Sequence, residues 1–155
     1  RINMKVMIIP GNGNTDISEN WFPYVKKKLE ELGMGVIAKN MPDPDIARKE
    51  FWIPFMEKQL KGDENAILIG HSSGAVAILR YLENHKALGA VIVGACYTDL
   101  NDEHEKLSGY FNDKWKWDKI KKNSQWVIQF ASTDDPYIPI EEARFIKNKI
   151  GSEYY

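Results

Sequence analysis

Short apolar runs alternate along this chain with longer segments whose apolar residues recur at helical spacing. Strands that read as continuous Ile/Val/Leu runs, each separated by a helix, predict a parallel sheet covered on both faces. The run VMIIP (6–10) predicts a buried strand that ends in the glycine-rich PGNGN (10–14). Trp21, Val25, Leu29 and Leu32 mark one stripe of a helix over Trp21 to Leu32, stopped by Gly33. GVIAKN (35–40) reads as a second strand, MPDPD (41–45) as a proline-stiffened loop, and Ile46 to Leu60 as a helix that includes Pro54. AILIG (66–70), AVIVGA (90–95) and WVIQFAS (126–132) are the remaining strands, with helices over Ala75 to Asn84 and Ile140 to Ile150. Residues 97–123 are polar and aromatic without a clean period, which predicts an insertion over one end of the sheet.

No linker, repeat or low-complexity segment divides the chain, so residues 4–155 are expected to form one doubly wound α/β domain. Arg1-Ile2-Asn3, ahead of Met4, reads as a remnant of cloning before a native start. At the other end, Ser152 to Tyr155 reads as the first half of a strand.

Composition narrows the class without naming an activity. Of 155 residues, 43% are hydrophobic and 28% charged, and 21 basic against 22 acidic side chains leave a formal charge of −1. No basic patch calls for nucleic acid. No apolar run approaches the ~18 residues of a membrane span, so no membrane partner is expected. The single cysteine, Cys96, cannot form an internal disulfide, which fits a reducing compartment such as the cytoplasm.

The chemistry concentrates at the carboxyl ends of three predicted strands, where open α/β sheets place their sites. Gly70-His71-Ser72-Ser73-Gly74 fits the nucleophile-elbow pattern G-x-S-x-G, with a strand before it and a helix after it. Ser72 would occupy a strained turn, and side chains at Gly70 and Gly74 would collide with the neighbouring strand and helix. The helix from Ser73 aims its N-terminal N–H groups at the reacting centre. The Ser73 N–H is the expected first oxyanion donor, and the backbone N–H groups of Asn12 and Gly13 in PGNGN offer the second. Donors of this kind supply about 3 kcal/mol each. The plainer alternative is a tight turn in which Ser72 or Ser73 merely caps the helix. STDDPYIP (132–139) offers Asp135, directly before the proline, to orient an imidazole, with Asp134 as the fallback. PGNGN lacks the ending of a P-loop and the third glycine of a dinucleotide fingerprint, so a phosphate role is weak.

The expected order in such enzymes is Ser, Asp, His, yet His71, His85 and His104 all precede Asp135. His71 sits inside the elbow and is expected to pack or support the turn. His85 ends a helix, a structural position, and His104 lies in the insertion, which reaches the rim only by an unusual path. A histidine beyond Tyr155 is therefore expected, with a closing strand, loop and helix of about thirty residues. Residues 1–155 alone are then expected to be poorly active or inactive.

The strings PGNGN, AKNMPDPDIAR (38–48), PFME (54–57), IGHSSGA (69–75), SGYF (108–111), WKW (115–117) and QFASTDDPYIP (129–139) resemble the retinoblastoma-binding protein 9 family of small serine hydrolases. That resemblance implies the α/β-hydrolase fold, Ser72 as nucleophile and Asp135 as triad acid. The family's histidine follows in a Gly-His-Phe-type loop without a counterpart here. The family's Leu-x-Cys-x-Glu segment aligns with Leu60-Lys61-Gly62-Asp63-Glu64, where Gly62 replaces the cysteine, so binding to a retinoblastoma-type pocket is not expected. The expectation is a serine hydrolase acting on a small ester, thioester or amide, with no metal or organic cofactor. The alternative is a non-catalytic protein-interaction module on the same fold. Tyr110, Phe111, Trp115 and Trp117 are expected mainly to pack the insertion onto the sheet, and otherwise to shape an acyl pocket.

Overall fold

Strand β1 (Lys5–Ile9) shows why its sequence is apolar throughout: Val6 and Ile8 are buried on one face of the sheet, Met7 and Ile9 on the other. The computed structural model describes residues 4–155; the expectation for residues 1–3 lies outside the described residues. In chain order the elements are β1, α1 (Phe22–Glu31), β2 (Gly35–Ala38), α2 (Lys49–Leu60), β3 (Ile67–His71) and α3 (Ser73–Tyr81). Next come β4 (Ala87–Val93), α4 (Glu103–Ser108), α5 (Trp117–Lys122), β5 (Ser124–Phe130), α6 (Ile140–Ile150) and β6 (Glu153–Tyr154). The sheet has six strands in the order β2-β1-β3-β4-β5-β6, and every pairing is parallel. The predicted parallel α/β architecture is the one observed.

The two faces are covered unequally. Helices α2 and α3 bury Trp52, Met56, Leu60 and nearly all of α3 against Met7, Ile9, Leu68, Ala90 and Ile92. Helices α5 and α6 extend that layer through Ile120, Ile146 and Ile150. On the opposite face, α1 packs Phe22, Val25 and Leu29 on Val6, Ile8 and Ile69. Beyond α1 no helix of the described residues covers that face: Trp126, whose ring lies over Gly89, is 37% exposed and Phe130 43%.

Differences from the sequence-based boundaries have local causes. Helix α2 begins at Lys49 rather than Ile46 because Asp43 and Ala47 adopt φ of +45° and +63°. The Asp43 carboxylate accepts from the Arg48 N–H at 2.8 Å, which holds that turn ahead of the helix. Helix α3 begins at Ser73 rather than Ala75, because the turn at Ser72 passes straight into helix. Strand β4 runs Ala87–Val93, earlier than predicted, and is ended by the positive φ of Gly94. The aperiodic insertion contains the two short helices α4 and α5.

Candidate active site

The turn between β3 and α3 holds Ser72 at φ +54° and ψ −116°. A residue with a Cβ rarely adopts this conformation, which costs about 1–3 kcal/mol. The strain persists because the turn is tied on both sides. The Ser72 N–H donates to Val93 O at 2.8 Å, and Ser72 O accepts from the Val76 N–H at 3.1 Å. Ser72 makes no side-chain capping bond to α3, so the helix-cap alternative has no support in the geometry at this residue.

The flanking glycines are required by close approach. A Cβ on Gly70 would come within 2.6 Å of the Gly74 backbone, and one on Gly74 would strike the carbonyl oxygens of Ile9 and Pro10. The second collision is with β1, the neighbouring strand, which locks the elbow onto the start of the PGNGN loop. Gly74→Ala is therefore expected to push the elbow away from β1, lowering both thermal stability and turnover. Melting temperature and kcat measured side by side check this; a variant normal in both would show that the turn has slack.

Loop 10–14 lies against the elbow: a Cβ on Gly11 would stand 3.3 Å from Ser72 Cβ. Of the two loop N–H groups expected as donors, one already has a partner. The Gly13 N–H donates to Asp45 O at 2.9 Å, so Gly13 is unavailable to an oxyanion, which corrects the sequence-based expectation for this residue. The Asn12 N–H has no acceptor among the described residues, and neither does the Ser73 N–H at the start of α3.

Asp135 stands on the same rim. Its Oδ1 accepts from the N–H groups of Tyr137 (2.8 Å) and Ile138 (3.0 Å), while a Cβ on Gly94 would lie 3.9 Å from its Oδ2. Gly94 follows Val93, the residue that receives the Ser72 N–H, so serine and carboxylate flank the same strand end. Asp134 is exposed and hydrogen-bonded to the Ser132 hydroxyl.

The three histidines separate clearly. His71 packs edge-on against Trp21 and Phe22, and its Nδ1 is buried with no partner among the described residues. Burial pushes its pKa below the ordinary 6.5, and the Asp135 charge pulls it partly back. The unfolded chain therefore binds the proton more readily, and His71 lowers stability progressively as pH falls below about 6.5. His71→Gln is expected to flatten that acid limb in melting temperatures taken from pH 7 to 5; an unchanged slope would refute the assignment. His85 stacks on Tyr81 and contacts Glu57 Oε2 at 2.7 Å. It lies past the far end of α3, a helix that by itself rises about 13 Å from the elbow. His104, contrary to expectation, does reach the rim: its Nε2 is 3.6 Å from Asp45 Oδ2.

A cleft of about 340 Å³ opens between the loop after β1, the insertion and residues 137–138. Its lining includes Asn12, Cys96, Leu100, His104, Tyr137 and Ile138. Burial pushes the Cys96 thiol well up, so it remains protonated rather than serving as a second nucleophile. None of Tyr110, Phe111, Trp115 and Trp117 lines this cleft. Tyr110 is buried, and Trp115 stacks on Trp117 with ring centroids 5.1 Å apart, so these rings pack the insertion.

A family model described as serine hydrolase matches residues 6–155. The chain belongs to that family. It is 46% identical to the serine hydrolase RBBP9 of Rattus norvegicus, over 97% of this chain and 82% of the rat protein. The crystal structure of the ydeN gene product from B. subtilis superposes with a TM-score of 0.90 at 27% identity, covering 99% of this chain and 84% of that one. A carboxylesterase structure from Nitrososphaera gargenis, at 12% identity, shares the fold with a TM-score of 0.73, over 99% of this chain and 80% of its own. This serine hydrolase is thus an enzyme on the α/β-hydrolase fold, and the non-catalytic module falls away. Among the described residues, no helix is long and apolar enough to cross a membrane.

Sequence reasoning missed three features of the site. Gly11 was legible as the first glycine of PGNGN. The half-buried Glu105, bonded to Asn12, and the approach of His104 carried no local signal, because both depend on how the insertion folds back.

Proposed function

We propose that this serine hydrolase cleaves a small ester, thioester or amide through an acyl-enzyme on Ser72. The Ser72 hydroxyl oxygen attacks the carbonyl carbon, its proton passes to a histidine, and the leaving group departs with that proton. Water then releases the acyl group by the same route. The Ser73 and Asn12 N–H groups receive the oxyanion, and Asp135 holds the imidazole and stabilises its charged form. None of His71, His85 and His104 meets the requirements of the base: the first is walled in behind the elbow, the second is remote, and the third faces Asp45. In this reading Asp135 orients the imidazole that serves as the base, and turnover requires that imidazole. The observation that carries the proposal is a strained, uncapped Ser72 sharing one strand end with Asp135.

The substrate is a small acyl compound rather than nucleic acid or membrane. The single buried cysteine supports a cytoplasmic setting. Leu60 is buried as the last residue of α2, and Lys61 turns the chain at φ +53°, which disfavours an extended docking peptide at 60–64. Reaction of the full-length protein with a fluorophosphonate probe, followed by peptide mapping, tests the assignment. An adduct on Ser72 is expected; no adduct, or one elsewhere, would overturn it.

A further inference from the structure

We propose that Glu105 is a positioning residue for hydrolysis: its carboxylate grips the Asn12 side chain and so keeps the Asn12 N–H aimed at the oxyanion. The inference rests on the Ser72 mechanism above. Asn12 Nδ2 donates to Glu105 Oε2 at 3.0 Å, joining the loop after β1 to a helix 93 residues further along. Every other bond on this loop fixes something else. The Thr15 hydroxyl donates to Asn12 O at 2.8 Å, and the N–H groups of Gly13 and Asn14 go to Asp45 O and Pro44 O. Among the described residues, only the Glu105 contact acts on the Asn12 side chain, and it leaves the Asn12 N–H free.

Glu105 is itself held in place. Asp102 accepts from the N–H groups of His104 (2.9 Å) and Glu105 (3.2 Å), which sets the first turn of α4. Its neighbours Glu103, His104 and Lys106 are exposed, whereas Glu105 turns inward and is half-buried. Burial, reinforced by the Asp102 charge, pushes its carboxyl pKa up, and the Asn12 amide partly offsets this. An acid kept inside at that cost, with an amide as its side-chain hydrogen-bond partner, is placed for the sake of that amide. The oxygen as acceptor is what the geometry uses, and a neutral amide oxygen supplies the same acceptor.

The test is steady-state hydrolysis of a p-nitrophenyl ester by the full-length protein, comparing Glu105→Leu, Glu105→Gln, Asn12→Ala and Ser72→Ala with wild type. Glu105→Leu is expected to lower kcat about tenfold, less than outright loss of an oxyanion donor. KM should stay within about twofold, as for an interaction realised in the transition state. Glu105→Gln should recover most of the lost kcat, and Asn12→Ala should match Glu105→Leu without adding to it in the double variant. An unchanged kcat in Glu105→Leu and Asn12→Ala overturns the proposal. So does a Glu105→Gln defect as deep as that of Glu105→Leu. Should Glu105→Leu not fold, the Asn12→Ala and Glu105→Gln pair decides alone. Activity surviving in Ser72→Ala would instead sink the underlying mechanism, whatever Glu105 does.

Discussion

Replacing Ser72 with alanine in the full-length protein is expected to lower kcat by about 10⁴- to 10⁶-fold, since members of such a triad act as a unit. The loss should come without a loss of stability, because the Ser72 side chain makes no capping bond to α3. Ser72→Gly separates the two roles further. Glycine relaxes the φ of +54°, so this variant should be inactive yet more stable than wild type, by up to the ~1–3 kcal/mol stored in the turn. Ester turnover and urea unfolding on the same preparations read both quantities. Residual turnover within about tenfold of wild type in Ser72→Ala would remove Ser72 from the chemistry. A Ser72→Gly protein weaker than wild type would mean that the bend is not under strain.

The second large effect lies in a network that the active site does not touch. Arg80 is buried on α3, and all of its N–H groups are satisfied. Nε and Nη2 donate to Tyr110 O, Nη2 also to Asp113 O, and Nη1 to Lys114 O and Glu83 Oε2, at 2.6–3.2 Å. The guanidinium also lies 3.7 Å from the centre of the Trp115 ring, and Glu83 accepts from the Lys116 N–H at 2.8 Å. Arg80, with Glu83, therefore holds residues 110–116 of the insertion against α3 and the turn that follows it. Arg80→Met leaves the Glu83 charge buried without its partner and three carbonyls unpaired. It is expected to cost about 3–5 kcal/mol by urea unfolding. Arg80→Lys should recover only part, since one ammonium cannot span the same fan of acceptors. A loss below ~0.5 kcal/mol for Arg80→Met would class the position with ordinary surface sites and refute the anchor.

How much of this was legible in the sequence depends on the range of the interaction. The strand runs and helical stripes are local, and each appears as an element with its ends moved by a few residues. The glycines of GHSSG follow from sterics within five residues, and the structure shows the collisions they avoid. The insertion resisted because its rings and its two short helices are organised by distant partners. Arg80 has no local signal beyond a basic residue on a helix; its carbonyl acceptors lie 30–34 residues away.

The sequence by itself determined the alternation of strand and helix, the serine at a pinched turn, and the acid that follows β5. Periodicity and excluded volume act over a few residues, so they are written where they act. Tertiary structure decided which donor remains free beside the serine: Asp45 occupies the Gly13 N–H and leaves that of Asn12. It also decided that Asp135 lies beside the end of β4, which receives the Ser72 N–H, and that His104 comes to the cleft. Each of those outcomes turns on which of several equivalent polar groups finds a partner, and that is settled only when remote segments pack together.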